Sequence, residues 1–489
     1  MTQQINTPSK NLIDGKWNET GLIREAVNPS TGETIGHFVD AFPDLADVAV
    51  AAARRVFEQE GWSKDRALRA RAINQLADKL AERQEEIALM LSREAGKLLA
   101  QTQWEVRLSV DWLRYSAATA LFQTGGRAME TVPGTYFYSD PKPLGVVGVI
   151  SPWNSPVILS VRAVGPALAA GCTVVLKVPA QTALTNTLFA EVIASADLIP
   201  AGAINVVTAD GRKLAERLIE SPEVDAISFT GSTRVGKEIG ASAIRTLKRV
   251  GLELGGKAPL VVLDDADLNV VVPQLVMASI AMNGQFCCTG SRVLVQRGIA
   301  DQLRERLVVA LTEVRIGISD DPEAQLGPLI NKESVERLHQ VVNQAESYAK
   351  VLLRGGPVTE GPLAKGSFFR PSLIEVEPLD AFIVQNELFG PIQTFEIFED
   401  EADGVRRANA TDYGLAASVF SGDATRARRV GEKIRAGHIW LNCWGVMSEQ
   451  FEQAGHKQSG VGSLCGPQAI HEFQEIKVYA TVEERPDAA

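Results

Sequence analysis

From Pro143 onward the chain alternates short apolar runs with helical stretches, and that alternation limits the fold more than any other feature. Val146–Ile150 precedes a helical pattern near Val161–Ala170, Thr173–Lys177 one near Leu184–Ala196, and Ala203–Val207 one near Arg212–Glu220. Asp225–Phe229 then leads into Arg234–Ile244. Continuous apolar strands, each followed by a helix, predict a parallel, doubly wound sheet within an α/β fold. Such sheets bind ligands beyond the carboxyl ends of their strands. Here those ends are Ser151-Pro152-Trp153-Asn154, Lys177-Val178-Pro179 and Thr230-Gly231-Ser232. A second alternation runs from Leu260–Leu263 to about Leu441, and its first helix, near Leu268–Ala281, leads directly into Gln285-Phe286-Cys287-Cys288.

The rest of the chain supplies smaller parts. Leu12–Trp17 and Glu25–Val39 are turn-rich and strand-like, and Asp44 to about Phe122 shows apolar residues at helical spacing. Gly125–Asp140 predicts a hairpin flap turning at Pro133-Gly134. A chain of 489 residues exceeds one core and should divide into two or three domains. The net charge of −11, with no long basic run, favours solubility and disfavours a nucleic-acid or anionic-membrane partner. No apolar stretch reaches transmembrane length, and Met1–Lys10 shows no secretory pattern, so a cytoplasmic location is expected. Five cysteines, without a C-x-x-C, and five scattered histidines predict neither a disulfide framework nor a metal site.

Three segments carry candidate chemistry. In Gly284-Gln285-Phe286-Cys287-Cys288-Thr289-Gly290-Ser291-Arg292, a thiol follows a helix and is flanked by glycines that permit a tight turn. It is either an activated nucleophile or one of two adjacent small hydrophobes. In Leu252-Glu253-Leu254-Gly255-Gly256-Lys257, a carboxylate stands in an apolar strand. Burial there would raise its pKa toward that of a general base, unless an Arg or Lys pairs with it. Phe229-Thr230-Gly231-Ser232-Thr233-Arg234-Val235-Gly236 is a glycine-rich turn between strand and helix, where backbone amides can meet a pyrophosphate. It lacks the G-x-G-x-x-G fingerprint and is weak evidence alone.

Together with Pro152-Trp153-Asn154, Lys177 and Glu387-Leu388-Phe389-Gly390-Pro391, these segments stand in the order and spacing of the aldehyde dehydrogenase superfamily. The chain resembles that family from Asn28-Pro29-Ser30-Thr31-Gly32-Glu33 to Lys457-Gln458-Ser459-Gly460. The resemblance implies NAD(P)-dependent oxidation of an aldehyde to a carboxylic acid, with NAD or NADP as acceptor. Cys287 would attack the aldehyde carbon, and Asn154 with the backbone N–H of Cys287 would hold the oxyanion. Glu253 would activate the water that hydrolyses the thioester, which argues against the family's CoA-acylating branch. For the cofactor, the resemblance assigns Lys177 to the adenosine ribose, Gly231 and Ser232 to the pyrophosphate, and Glu387 with Phe389 to the nicotinamide end. Ile150 and Trp153 would line its path. Ala180 stands where NAD-restricted members have a ribose-binding glutamate, so NADP should be accepted.

The implied architecture is a cofactor domain (1–124 and 141–253), an α/β catalytic domain (254–460) and an oligomerisation flap with the C-terminal strand (125–140 and 461–489). The flap would pair subunits into homodimers or homotetramers. Four places depart from the family pattern. Met282 replaces a frequent Asn, Glu452-Gln453-Ala454-Gly455 replaces Pro-Phe-Gly-Gly, Leu464 replaces a glutamate proposed to relay protons, and Ser155 replaces a large aromatic. With Trp153, Phe286 and Trp444 as apolar walls, the room at Ser155 suits an aromatic aldehyde. Arg162 lies where semialdehyde-oxidising members pair an arginine with a substrate carboxylate; otherwise it should form a salt bridge to a neighbouring helix.

Overall fold

The computed structural model describes residues 8–59, 61–122 and 126–482. Gly125, where the expected flap begins, lies outside them, as do the outermost residues of the terminal segments. The predicted strand–helix alternation is realised as an α/β structure built on two large sheets.

The first sheet has eight strands. Its five central ones run parallel in the order Ile204–Ala209, Thr173–Pro179, Val146–Ile150, Ala226–Thr230 and Arg249–Glu253. Asn11–Ile13 and Gly460–Val461 cover its flanks antiparallel. Side chains alternate across a strand, so each strand serves two cores. Val147, Val149, Val174, Leu176 and Val206 face a core shared with the helices Arg66–Glu82, Leu99–Leu121 and Pro156–Ala170. Val146, Ile150, Val175 and Val207 face the opposite core, against Leu45–Glu58, Lys213–Glu220 and Thr233–Ala243. Burial on both faces explains why these strands are apolar throughout.

The second sheet has seven strands. Six are parallel, in the order Ser372–Glu375, Ile392–Phe398, Arg292–Gln296, Pro259–Val262, Ala416–Phe420 and His438–Leu441, with Lys350–Leu353 antiparallel at one edge. Inside it, Arg292 forms a bidentate pair with Glu396 (Nε–Oε1 2.8 Å, Nη2–Oε2 2.6 Å), with both side chains buried. The hairpin Ala128–Val132/Thr135–Pro143 turns at Pro133-Gly134 as expected, and Gln474–Val482 adds a third antiparallel strand to it.

Two local departures from the sequence reading bear on function. The helix expected near Val161 starts at Pro156, immediately after Asn154-Ser155; proline at the first helical position has its φ preset and needs no N–H partner. The helix expected to lead directly into Gln285 stops at Ile280. A tight turn over Ala281–Gly284 follows, in which Met282, Asn283 and Gly284 all have positive φ (49°, 60° and 71°). Among the described residues no helix is long and apolar enough to cross a membrane.

Candidate active site

The left-handed turn before Cys287 is costly for a methionine, so its surroundings must enforce it. Asn283 does much of this. Its Nδ2 donates to the carbonyls of Gly96 (2.9 Å) and Pro328 (2.8 Å), and its Oδ1 accepts from the Gly327 N–H (2.8 Å). Gln285 is anchored by accepting the Ile330 N–H at 3.0 Å. Gly284 is obligatory: besides its positive φ, a Cβ there would collide with the backbone of Gly390 and Pro391. The Cys287 loop and the Glu387–Pro391 segment are therefore locked together.

The two adjacent thiols differ. Cys287 is half-buried and Cys288 buried, with their Sγ atoms 4.0 Å apart. The hydrogen bond with Cys287, together with burial, pushes the Cys288 thiol well above its ordinary range, which makes it a poor nucleophile.

Asn154 approaches the loop from the first sheet. Its Nδ2 donates to the Gln285 carbonyl at 3.1 Å. The backbone beneath it is fixed by a buried ion pair that the sequence reading missed. Lys97 Nζ contacts Glu105 Oε2 and donates to the Asn154 carbonyl at 2.8 Å. Glu105 Oε1 accepts the N–H groups of Val157 (3.1 Å) and Ile158 (3.4 Å) in the first turn of the following helix. A buried pair of this kind is satisfied only when every partner is in place, which confines Asn154 to one position.

Glu253 ends its strand at the crossing between sheets, the segment Glu253–Pro259. It is buried and makes no ion pair among the described residues; its Oε1 has no hydrogen-bond partner. Burial pushes its carboxyl up to about 7; Arg162 opposes this rise and Glu472 adds to it. Of the two readings left open by the sequence, the paired carboxylate is not the one observed. The glycines that follow are needed for close approach, since a Cβ on Gly255 would strike the Glu387 carboxyl and one on Gly256 the Cys287 carbonyl.

One cavity collects Cys287, Glu253, Asn154, Ser155, Arg162 and Phe286. Of the expected apolar walls Trp153 does not line it, and neither does Trp444. Trp444 sits one layer back, edge-on to Phe286 (6.0 Å between centroids), with its Nε1 donating to the Cys288 carbonyl at 3.1 Å. Trp104, Trp112, His438, Trp440 and Met447 form walls that the sequence reading did not name. Trp104 and Trp112 lie eight apart on one helix, a spacing that returns to the same face and was the available signal. Arg162 makes no salt bridge among the described residues. Its Nη1 donates to Gln453 Oε1 at 2.8 Å and its Nη2 to Thr230 Oγ1 at 3.4 Å, while Nε is buried without a partner.

Of the expected cofactor residues, Ile150, Trp153, Lys177, Ala180, Gly231 and Ser232 stand at the carboxyl edge of the first sheet. Ile150 and Lys177 are register partners on adjacent strands, and Ala180 opens the short turn after Pro179. Lys177 is buried without an ion pair among the described residues; burial pushes its amine down to about 8, countered by Asp210 and Asp40. Gly231 follows the next strand, where a Cβ would run into the Phe229 ring. Ser232 caps the helix Thr233–Ala243, its Oγ accepting from the Val235 N–H at 3.4 Å. At the other end Trp153 packs edge-on to Phe389 (5.5 Å). Glu387 accepts the Gly256 N–H at 3.0 Å, and burial raises its carboxyl to about 7. A buried amine without a paired charge and a helix N-terminus along that edge, with the buried Glu387 carboxylate held on the Gly256 N–H, fit a dinucleotide. Among the described residues, no group of His, Cys, Asp and Glu could hold a metal ion.

A cavity that gathers a thiol, an unpaired buried carboxylate and a side-chain amide within an α/β fold is the arrangement of an enzyme. The model of the "Aldehyde dehydrogenase family" matches residues 17–479, and the chain belongs to that family: it is an oxidoreductase acting on aldehydes. It is 34% identical over 477 residues to the (Z)-2-((N-methylformamido)methylene)-5-hydroxybutyrolactone dehydrogenase of Acinetobacter baylyi, covering 97% of both chains. It is also 34% identical to the mitochondrial succinate-semialdehyde dehydrogenase of Oryza sativa subsp. japonica, over 96% of this chain and 88% of the relative. Among solved structures it resembles betaine aldehyde dehydrogenase from Staphylococcus aureus in complex with NAD+, with a TM-score of 0.94 and 32% identity over 97% of this chain and 95% of the other.

Proposed function

We propose that the protein oxidises an aldehyde carrying a carboxylate to the corresponding diacid with NAD(P), through a thioester on Cys287. The carrying observation is the single cavity that joins Cys287, Asn154 and an unpaired, buried Glu253 to the guanidinium of Arg162. Cys287 Sγ adds to the aldehyde carbon, and the new oxyanion is held by the Asn154 amide and the Cys287 N–H. The dinucleotide, when bound, accepts the hydride released from that carbon, chemistry that no side chain here supplies. Glu253 then takes a proton from water as its oxygen adds to the thioester carbon, and the C–S bond breaks to return the Cys287 thiolate.

Arg162 sets the substrate class. A buried guanidinium without an anionic partner is costly, and a substrate carboxylate in the same cavity would supply one. Removing it in Arg162→Gln should lower kcat/KM for a carboxylated aldehyde by about 10- to 100-fold, the worth of charged hydrogen bonds. Uncharged aryl aldehydes should lose little. Equal losses for both classes would transfer preference to the second reading, an uncharged aromatic aldehyde, which the Trp104, Trp112 and Phe286 walls favour.

The cofactor prediction rests on Ala180, which offers no carboxylate against a 2′-phosphate, and on Lys177 beside it. Two carboxylates act on Lys177, Asp210 and Asp40, and of these Asp40 is paired with Arg24 at 2.5 Å. NADP should be used at least as well as NAD, and Ala180→Glu should depress NADP use selectively. Paired kcat/KM measurements decide it; a native NAD preference above about tenfold, ~1.4 kcal/mol, would overturn the assignment. The same reading divides the chain into the cofactor, catalytic and flap domains expected from sequence. Exposed Tyr138, Ile476 and Val478 on the flap sheet support a subunit contact there.

A further inference from the structure

A general base buried as deeply as Glu253 has a second task after each turnover: it must lose the proton it took from water. In this chain Leu464, buried, supplies no group for that purpose. Glu253, however, borders two cavities. One is the cavity of Cys287; the other, smaller, is lined by Ser228, Arg249, Gly251, Ser463, Leu464 and Glu472, among others. Glu253 thus lines both the cavity of the reacting thiol and a second one whose lining includes a carboxylate.

The fold holds that carboxylate in place. The strand ending in Glu253 pairs antiparallel with Gly460–Val461, with Glu253 opposite Gly460. The chain then turns at Gly462 (φ 80°). Glu472 Oε1 accepts the Ser463 N–H at 3.3 Å, and a Cβ on Gly462 would fall 2.7 Å from Glu472 Oε2. Glu472 itself stands on the short turn Ala469–Phe473 and is half-buried, with one side toward solvent. Four groups act electrostatically around Glu253: Arg162 from the helix Pro156–Ala170, Glu472, and the thiols of Cys288 and Cys465. Arg249 faces the second cavity from the strand of Glu253 itself. Of these, Glu472 alone pairs a proton-accepting carboxylate with access to solvent.

We propose that Glu472 is the relay carboxylate of this enzyme, receiving through the second cavity the proton that thioester hydrolysis leaves on Glu253 and passing it to solvent. The inference rests on the reading of Glu253 as the base. The balance is simple: water gives its proton to the Glu253 carboxylate, and its oxygen joins the acyl carbon. Neutral Glu253 then donates that proton to water in the second cavity, which gives one up to Glu472. One proton passes from Glu253 to solvent, no electron is transferred, and Glu253 is restored as a carboxylate.

The test uses the full-length enzyme and Glu472→Gln, which keeps the shape and the acceptor for Ser463. Acylation, followed as the burst of reduced cofactor, should keep its rate. Deacylation should slow by about tenfold, less than the loss of the base itself, and the acyl adduct on Cys287 should accumulate in intact-protein mass spectra. Deacylation should recover in Glu472→Asp or with rising concentrations of a small proton-carrying buffer, neither of which would repair a merely structural defect. An unchanged deacylation rate overturns the proposal; so does a slowing shared by the burst, or one that neither remedy reverses. Glu253→Gln run in parallel separates the two ideas. If it stalls while Glu472→Gln does not, only the relay fails, and if it turns over at the native rate, the base assignment itself is wrong.

Discussion

Cys287→Ala is expected to abolish aldehyde oxidation, by roughly 10⁴-fold or more, while leaving the fold and cofactor binding intact. The substitution deletes the nucleophile but little volume, and Cys287 is only half-buried, so the stability change should stay below about 1 kcal/mol. Cys288→Ala should keep most activity. Its thiol is buried and held well above its ordinary pKa by Cys287 and by burial, so it is neither accessible nor ionised. The adjacent pair gives the comparison its force: the two residues share a loop and differ mainly in exposure. Steady-state rates with thermal melts on both variants check it. A dead Cys288→Ala beside an active Cys287→Ala would place the nucleophile one residue along.

The second large effect is expected at Glu253. Glu253→Gln preserves size and loses basicity, so acylation should proceed and turnover then fall by about 10²- to 10⁴-fold, the range for a general base. A stoichiometric burst of reduced cofactor followed by a slow phase is the expected trace. The native enzyme should show the related pH dependence. Burial raises the Glu253 carboxyl to about 7, and only its ionised form can accept a proton from water. The deacylation rate should therefore fall as pH drops through about 7 and level off above it, with Arg162 holding the inflection down. An inflection near the ordinary value for glutamate, about 4.3, would show that Glu253 is not the titrating base.

Both predictions concern residues that stand out in the sequence because their type conflicts with their setting. A glutamate in an apolar strand and a cysteine between glycines are legible without coordinates, and so is the alternation that builds the first sheet. What was hidden depends on contacts between distant segments. Lys97 and Glu105 carry no local sign of their role, since their purpose is set by the Asn154 carbonyl and the N–H groups of Val157 and Ile158, some fifty residues on. The left-handed turn at Met282-Asn283 ran against helical propensity and is enforced by Gly96, Gly327 and Pro328. Trp444 was expected on the pocket wall from its character alone. Its indole N–H is instead taken by the Cys288 carbonyl, which turns the ring behind Phe286. Arg162 was legible as a charge at a suggestive place, but the sequence could not say that a neutral glutamine and threonine would hold it.

The central claim, a thioester on Cys287 that Glu253 resolves, is tested most directly by trapping it. Glu253→Gln, mixed with aldehyde and oxidised cofactor and quenched in acid during the slow phase, should carry one acyl group per chain. Peptide mass mapping should place that group on Cys287 and leave Cys288 free. An adduct on Cys288, or slow turnover with no adduct on either thiol, would contradict the account.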